Sequence, residues 1–259
     1  MLVDAVVCTK NRPEHLEHAL KAIKSHIPYN RIIVVDSSRV PYKTADEGIT
    51  VYHRSDLNLG EARNFALAKT ETEFMFSIDD DINITPETFG ALYKKISESP
   101  QNVIVTPIAS FGDNETRKLI YACHKIACGT AVFLARTELL RSIGGFPPIK
   151  FCEDMACRYN VKNAGLHWVT ANTECFHPAV LLDNLHKSWR NGYHIIDIYR
   201  ATPNAGNLFS IVFRAGARIF NSVYFGFRTW SLKCFKWALL PCCCFILAWF
   251  HRMVDDFVG

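Results

Sequence analysis

Residues 58–81 read NLGEARNFALAKTETEFMFSIDDD. Gly60–Lys69 has the composition of a helix, and Phe74–Ile78 is a short apolar strand that runs straight into Asp79, Asp80 and Asp81. The same rhythm continues outward on both sides. Upstream, Leu2–Cys8 reads as a buried strand, and Pro13–Ser25 as a helix with its proline in the first turn, where a missing N–H costs nothing. Arg31–Asp36 and Thr50–His53 are two further strands. Downstream, Thr85, Pro86 and Glu87 start a helix that extends to Ser97. Strand, helix, strand at this spacing predicts βαβ units and a mostly parallel α/β sheet. In such sheets ligands bind beyond the carboxyl ends of the strands. The polar residues that follow strands are therefore the candidates: Thr9, Asn11, Asp36 and Asp79–Asp81.

The second half is less regular. Val103–Thr106 and Thr130–Ala135 read as strands, and Thr137–Ile143 as a short helix stopped by Gly144-Gly145. Glu153–Ala164 is an expected helix with Gly165 as its C-cap, and His167–Thr170 a further strand.

Composition bounds the function. A chain of 259 residues, 49% hydrophobic and 21% charged, is globular, which excludes disorder, collagen and a coiled coil. The net charge of +4 does not by itself announce a nucleic-acid binder. That excess sits entirely in residues 205–259, where Arg214, Arg218, Arg228, Lys233, Lys236 and Arg252 face only Asp255 and Asp256. The same stretch holds 13 of the 32 aromatic residues, so a catalytic domain is expected over 1–204 and a basic, aromatic tail over 205–259. Asn207–Arg228 is amphipathic. Trp237–Phe250 is an uncharged run of 14 residues, interrupted by Pro241. As a helix it would span about 21 Å, short of the ~30 Å hydrocarbon core, so it is expected to lie in a membrane interface. Packing of the tail on the domain or on a partner chain is the alternative. The N-terminus shows no signal-peptide pattern, and the ten cysteines are then expected to be reduced thiols in a cytoplasmic protein. The spacings Cys123/Cys128 and Cys152/Cys157 do not suit zinc.

Three adjacent carboxylates repel one another unless a cation joins them. Divalent Mg2+ and Mn2+ take such oxygen ligands and share them with phosphates, so Asp79–Asp81 read as a metal-diphosphate site or, more plainly, as an acidic cap on the next helix. Glu153-Asp154, after the loop GGFPPIK, read as a general base over a substrate pocket or as acids favoured by a helix N-terminus. His177 is either structural or a further metal ligand.

The ordered set VVCTKNRPEHLEHALKAI, IIVVDSS, NLGEARN…DDD, GGFPPIKFCEDMACRYNVKNAG and FHP resembles family 2 glycosyltransferases of the GT-A fold, a Rossmann-like architecture, over about residues 3–180. The resemblance implies that Thr9, Asn11, Arg12 and Asp36 hold the base and ribose of a nucleotide sugar, with Gly60 and Arg63 alongside. It implies that Asp79-Asp80-Asp81 is the DXD-type motif, with Asp79 towards the ribose and Asp81 and Asp79 on Mn2+ or Mg2+, joined by His177. It implies that Asp154, beside Glu153, is the base of an inverting transfer. The sequence departs from processive synthases in lacking Q-x-x-R-W, although KSWRNGY lies in that region, and in lacking paired transmembrane spans. The expectation is transfer of one sugar to a lipid-linked glycan or polyprenyl phosphate, with the tail on the cytoplasmic face of a membrane and no nucleic-acid partner. A nucleotide-sugar-binding scaffold without turnover is the alternative. A sugar-nucleotide nucleotidyltransferase ranks lower, because CTKNRPEH lacks a glycine-rich phosphate loop.

Overall fold

The computed structural model describes residues 2–111, 128–151, 153–177, 181–194, 197, 200–202 and 232–258. The expected amphipathic segment 207–228, Cys123 and Cys152 lie outside them. The chain divides into two compact units, residues 1–110 with 125–178, and 111–124 with 179–259. This division falls upstream of the composition break at residue 205.

The first unit is built on a seven-stranded sheet, β1 (Val3–Thr9), β2 (Tyr29–Asp36), β3 (Ile49–His53), β4 (Phe74–Asp79), β5 (Val103–Phe111), β6 (Val132–Arg136) and β7 (His167–His177). Its order is β3-β2-β1-β4-β6-β5-β7. The β3, β2, β1 and β4 pairs are parallel, while β6 runs antiparallel to both β4 and β5. The mostly parallel α/β expectation therefore holds for the half that carries the acidic motif, and β6 makes the sheet mixed.

Alternation along the strands divides the core between two faces. Val3, Ala5 and Val7 point to one face with Leu16, Leu20 and Ile23 of α1 (Pro13–His26) and Phe89, Leu92 and Ile96 of α3 (Pro86–Ser97). Val6, Ile33 and Met75 point to the other, against Ala62 and Ala66 of α2 (Leu59–Lys69), Leu140 of α4 (Thr137–Ser142) and Cys157 of α5 (Glu153–Asn163). Both buried stripes are complete, which is why the strands read as apolar runs.

Local chemistry sets the helix ends. Asn58 caps α2 by accepting the Glu61 N–H at 3.0 Å, while the Glu61 carboxylate accepts the Asn58 N–H at 2.8 Å. Such a reciprocal cap is worth about 1 kcal/mol and starts the helix at NLGE. Thr85 caps α3 in the same way, and Gly165 follows α5 with φ +72°. β5 and β7 run several residues beyond their predicted ends. A single 3-10 turn, Gly129–Ala131, occupies the expected start of β6.

In the second unit, α6 (Leu181–Tyr193) packs with α7 (Leu232–Val258). Pro241 does not interrupt α7, contrary to the sequence reading. A proline inside a helix removes one hydrogen bond and costs about 3 kcal/mol, yet α7 continues through it while packed with α6. Among the described residues no helix is long and apolar enough to cross a membrane.

Candidate active site

The register pairs Thr9 with Asp36 across β1 and β2, and Cys8 with Asp79 across β1 and β4. The carboxyl ends of the three strands are therefore level, and the polar residues after them form one cluster.

Asp80 lies at its centre, 1% exposed. Its Oδ2 accepts the Thr9 Oγ1–H at 2.7 Å. Its Oδ1 lies 3.1 Å from Arg12 Nη2 as an ion pair, yet receives no hydrogen bond. Burial pushes the Asp80 carboxyl up to about 6; Thr9 and Arg12 pull it down, and Asp81 and Asp79 push it further up. Arg12 also reaches Asp81 Oδ2 through Nη1 at 3.1 Å. One guanidinium thus spans two of the three acids.

Asp79 is held from the other side. Arg63 Nη2 donates to Asp79 Oδ1 at 2.9 Å, and Arg63 Nη1 donates to Glu153 Oε1 at 2.6 Å. The guanidinium is 5.4 Å from the centroid of the Phe146 ring and the residue is 2% exposed. Burial opposes the Arg63 charge, but Asp79 and Glu153 more than offset it, so it is held above its ordinary value. Burial likewise raises the Glu153 carboxyl, Arg63 lowers it, and neighbouring Asp154 raises it again. Asp154, half-buried in the first turn of α5, makes no hydrogen bond or ion pair with a described side chain.

The glycine-rich loop is fixed to the same helix. Asn64 brackets Phe146, donating from Nδ2 to its carbonyl at 2.6 Å and accepting its N–H on Oδ1 at 2.7 Å. Gly145, at φ +68°, leaves room for that amide, since a Cβ there would lie 2.3 Å from Asn64 Oδ1. Gly60 meets the loop too: a Cβ would stand 2.4 Å from the Pro147 carbonyl oxygen. Gly60, Arg63 and Asn64 occupy positions i, i+3 and i+4 of α2, so a single helix face holds the loop, Glu153 and Asp79 together.

Several expected residues have other work. Asp36 is fully buried, and its two oxygens accept the Ser38 and Tyr42 N–H groups at 2.9 and 2.8 Å. It shapes the loop 37–42. Asn11, at φ +55°, donates its N–H to Ser38 Oγ at 2.6 Å and accepts the Arg39 N–H at 2.9 Å. Gly60 and Arg63 lie inside the structure as a close contact and an ionic bridge. His177 ends β7, where Phe176 and Asn83 exchange backbone hydrogen bonds, each 3.2 Å, beside the Asp79–Asp81 loop; its side chain lies outside the described residues. Among the described residues no group of three or more His, Cys, Asp or Glu is arranged to hold a metal ion.

Sequence reasoning missed Ser38 and Asn64 as supports, although Asn64 stands inside the decisive motif. It also missed Cys128–Cys175, whose sulfurs are 2.8 Å apart. Burial pushes the Cys8 and Cys157 thiols up to about 12, which leaves both unreactive at neutral pH.

The chain is similar in structure to several glycosyltransferases. The mannosyltransferase PcManGT from Pyrobaculum calidifontis, solved with GDP-Man and Mn2+, superposes with a TM-score of 0.66 at 15% identity, covering 98% of this chain and 88% of that one. Glucosyl-3-phosphoglycerate synthase from Mycobacterium tuberculosis, solved with Mn2+, UDP and phosphoglyceric acid, gives 0.54 at 17% identity over 76% and 78%. GalNAc-T7, solved with UDP, GalNAc and Mn2+, gives 0.53 at 13% identity over 69% and 43%. At such identities the likeness shows the GT-A fold. No curated protein matches in sequence. The sequence profile described as Glycosyl transferase family 2 matches residues 4–149, more than half of the chain, and the chain belongs to that family.

Proposed function

We propose that the protein is a metal-dependent, inverting glycosyltransferase that moves one sugar from a nucleoside-diphosphate sugar to an acceptor hydroxyl carried on a membrane lipid. The observation that carries this reading is a pair of networks on the consecutive acids Asp79–Asp81: Thr9 and Arg12 hold Asp80, Arg12 also holds Asp81, and Arg63 ties Asp79 to Glu153, next to Asp154. These networks bring an acidic strand end close to a carboxylate of the right type to act as base.

The donor chemistry suits a divalent cation, although in this arrangement Arg12 and Arg63 hold the acids and no three described groups are gathered to coordinate one. Asp80 Oδ1 is buried without a hydrogen bond, and three adjacent carboxylates share the positive charge of one Arg12 and one edge of Arg63. Oxygen donors of this kind suit Mn2+ or Mg2+: Asp81 and Asp79 would hold the cation, with the His177 imidazole as a further, nitrogen ligand. Bound there, the cation would neutralise the charge that grows on the departing diphosphate. Thr9 and Arg12 would orient the acids and the nucleotide. Asp154 would take the proton from the acceptor hydroxyl as the oxygen attacks the anomeric carbon from the face opposite the diphosphate, and that single displacement inverts the configuration. Arg63 keeps Glu153 ionically tied, leaving the adjacent Asp154 as the base. The missing Q-x-x-R-W motif supports transfer of a single sugar, and the basic aromatic tail supports a lipid-linked acceptor on the cytoplasmic face of a membrane.

The test is nucleotide release. Protein in detergent is incubated with UDP-, GDP- and dTDP-sugars and Mn2+, Mg2+ or EDTA, with and without a membrane lipid extract. Metal-dependent release from one donor, lost in Asp154→Asn, supports the reading and names the sugar. Arg12 spanning Asp80 and Asp81 favours one other reading, a nucleotide-sugar-binding protein without turnover, because a guanidinium already supplies positive charge there. Calorimetric binding of a nucleotide that is indifferent to Mn2+, without release, would select it.

A further inference from the structure

Ten large hydrophobic side chains are exposed in the described chain, and five of them lie in α6 and α7. Four fall in one row of α7: Leu240 at 43%, Leu247 at 59%, Phe250 at 56% and Val254 at 59%. Cys243, also exposed, completes it. The spacing is three, four, three, four. At 3.6 residues per turn these five positions fall within an arc of about 80°.

The far side of the helix is occupied. Ala248 is fully buried, and the Phe245 carbonyl stands 2.1 Å from where a Gly192 Cβ would be, so α6 and α7 touch backbone to backbone. Polar pairs close the same seam: Tyr193 Oη donates to Asp255 at 2.9 Å, and Arg252 lies 3.7 Å from Asp197 and 5.0 Å from the centroid of the Tyr193 ring. Trp189 of α6, 43% exposed, lies 6.3 Å from the His251 ring and extends the apolar row sideways. Among the described side chains, the polar groups bordering the row are His251 and Asp255, which pair with each other at 3.1 Å.

We infer that this row, with Trp189 at its margin, is the face by which the chain lies flat on an anionic lipid bilayer, the helix axis parallel to the surface. The inference deepens the membrane part of the proposed function and rests on it. Charge argues for the occupant: the tail's six basic residues against two acidic ones carry the whole positive excess of the chain, and Lys233 and Lys236 begin the same helix. Anionic headgroups attract a basic residue near the surface by about 1 kcal/mol; Arg252, tied into the seam with Asp197, is not one of these. The row itself, between Trp237 and Phe250, is uncharged. An aromatic with an apolar body and a polar edge, as Trp189 is, suits the headgroup boundary. At 27 residues α7 is about 40 Å long, enough to cross a bilayer by length. Crossing would carry the Asp197, Arg252 and Asp255 seam into hydrocarbon, whereas lying flat keeps it wet.

The experiment is co-sedimentation of the full chain with vesicles of phosphatidylcholine alone and with 30% phosphatidylglycerol. The wild-type protein is expected to sediment with the anionic vesicles. Leu247→Glu/Phe250→Glu is expected to lose roughly tenfold or more in partitioning. Leu2→Glu/Val40→Glu, which adds the same charge at exposed apolar residues of the other unit, is expected to match the wild type. A second measurement needs no variant: a charged maleimide should label Cys243 in the free protein, and anionic vesicles should protect it. Binding that survives Leu247→Glu/Phe250→Glu, with Cys243 unprotected, overturns this face and leaves the membrane reading standing. A wild type that binds no vesicle overturns both. If it then runs as a dimer that Leu247→Glu/Phe250→Glu dissociates, the row belongs to a second copy of the chain.

Discussion

Arg63→Met is the most informative single change, because Arg63 joins two acids from separate parts of the chain. Its side chain is 3% exposed, Glu153 is 9% and Asp79 is 31% exposed. Removing one partner of a buried ion pair costs about 3–5 kcal/mol, chiefly because the other charge is left uncompensated. Asp79 can turn to water and adds little. Nearly all of the loss falls on Glu153. Its carboxyl is already raised from 4.5 by burial, and without Arg63 it rises further. A carboxyl raised in the folded state binds its proton more tightly there than in the unfolded chain. The stability this contributes is complete below the unfolded value and is lost as pH rises through the folded one. The variant should therefore be about 3 kcal/mol less stable than wild type at pH 8, or roughly 6–12 °C in Tm, and the deficit should shrink towards pH 5. Thermal unfolding followed by circular dichroism at pH 5, 6.5 and 8 measures it. Arg63→Met/Glu153→Gln removes the orphaned charge and should recover about half of the loss or more. A deficit independent of pH, or no recovery in the double variant, would falsify the bridge.

Asp154→Asn should keep nucleotide affinity within about threefold while slowing donor turnover by roughly 10²–10⁴, read by calorimetry and nucleotide release; equal losses in both would remove it as base. Gly60→Ala brings a methyl against the Pro147 carbonyl, so it should lower stability by about 1–3 kcal/mol and raise the acceptor KM more than the donor KM; an unchanged Tm would mean the loop moves freely. The Cys128 thiol is raised by its hydrogen bond to Cys175 and by burial, so iodoacetamide at pH 8 should leave Cys128 unmodified until denaturant is added. Rapid labelling in the native protein, mapped by peptide mass, would contradict that packing.

Much of the catalytic unit is decided within a few residues of each position. Strands β1, β2 and β4 are apolar runs, Asn58 and Thr85 cap their helices through side chains three residues away, and Pro13 starts α1, so these elements were legible without any partner. The βαβ order then placed Thr9, Asp36 and Asp79–Asp81 at one end of the sheet, because a crossover connection returns each strand in the same direction. What each of those side chains touches depends on residues far away in the chain. Arg63 meets Glu153 across 90 positions and Thr9 meets Asp80 across 71, so neither bond leaves a local pattern. The family resemblance implies that Arg12, Arg63 and Asp36 contact the nucleotide. Arg63 also bridges Asp79 and Glu153, Asp36 also supports the loop after β2, and α7 continues as a helix through Pro241. The sequence by itself determined which elements form and which end of the sheet is acidic, since both follow from short-range periodicity and capping. Only the tertiary structure decided which charges neutralise one another, because that is set by distance and desolvation between segments that sequence order keeps apart.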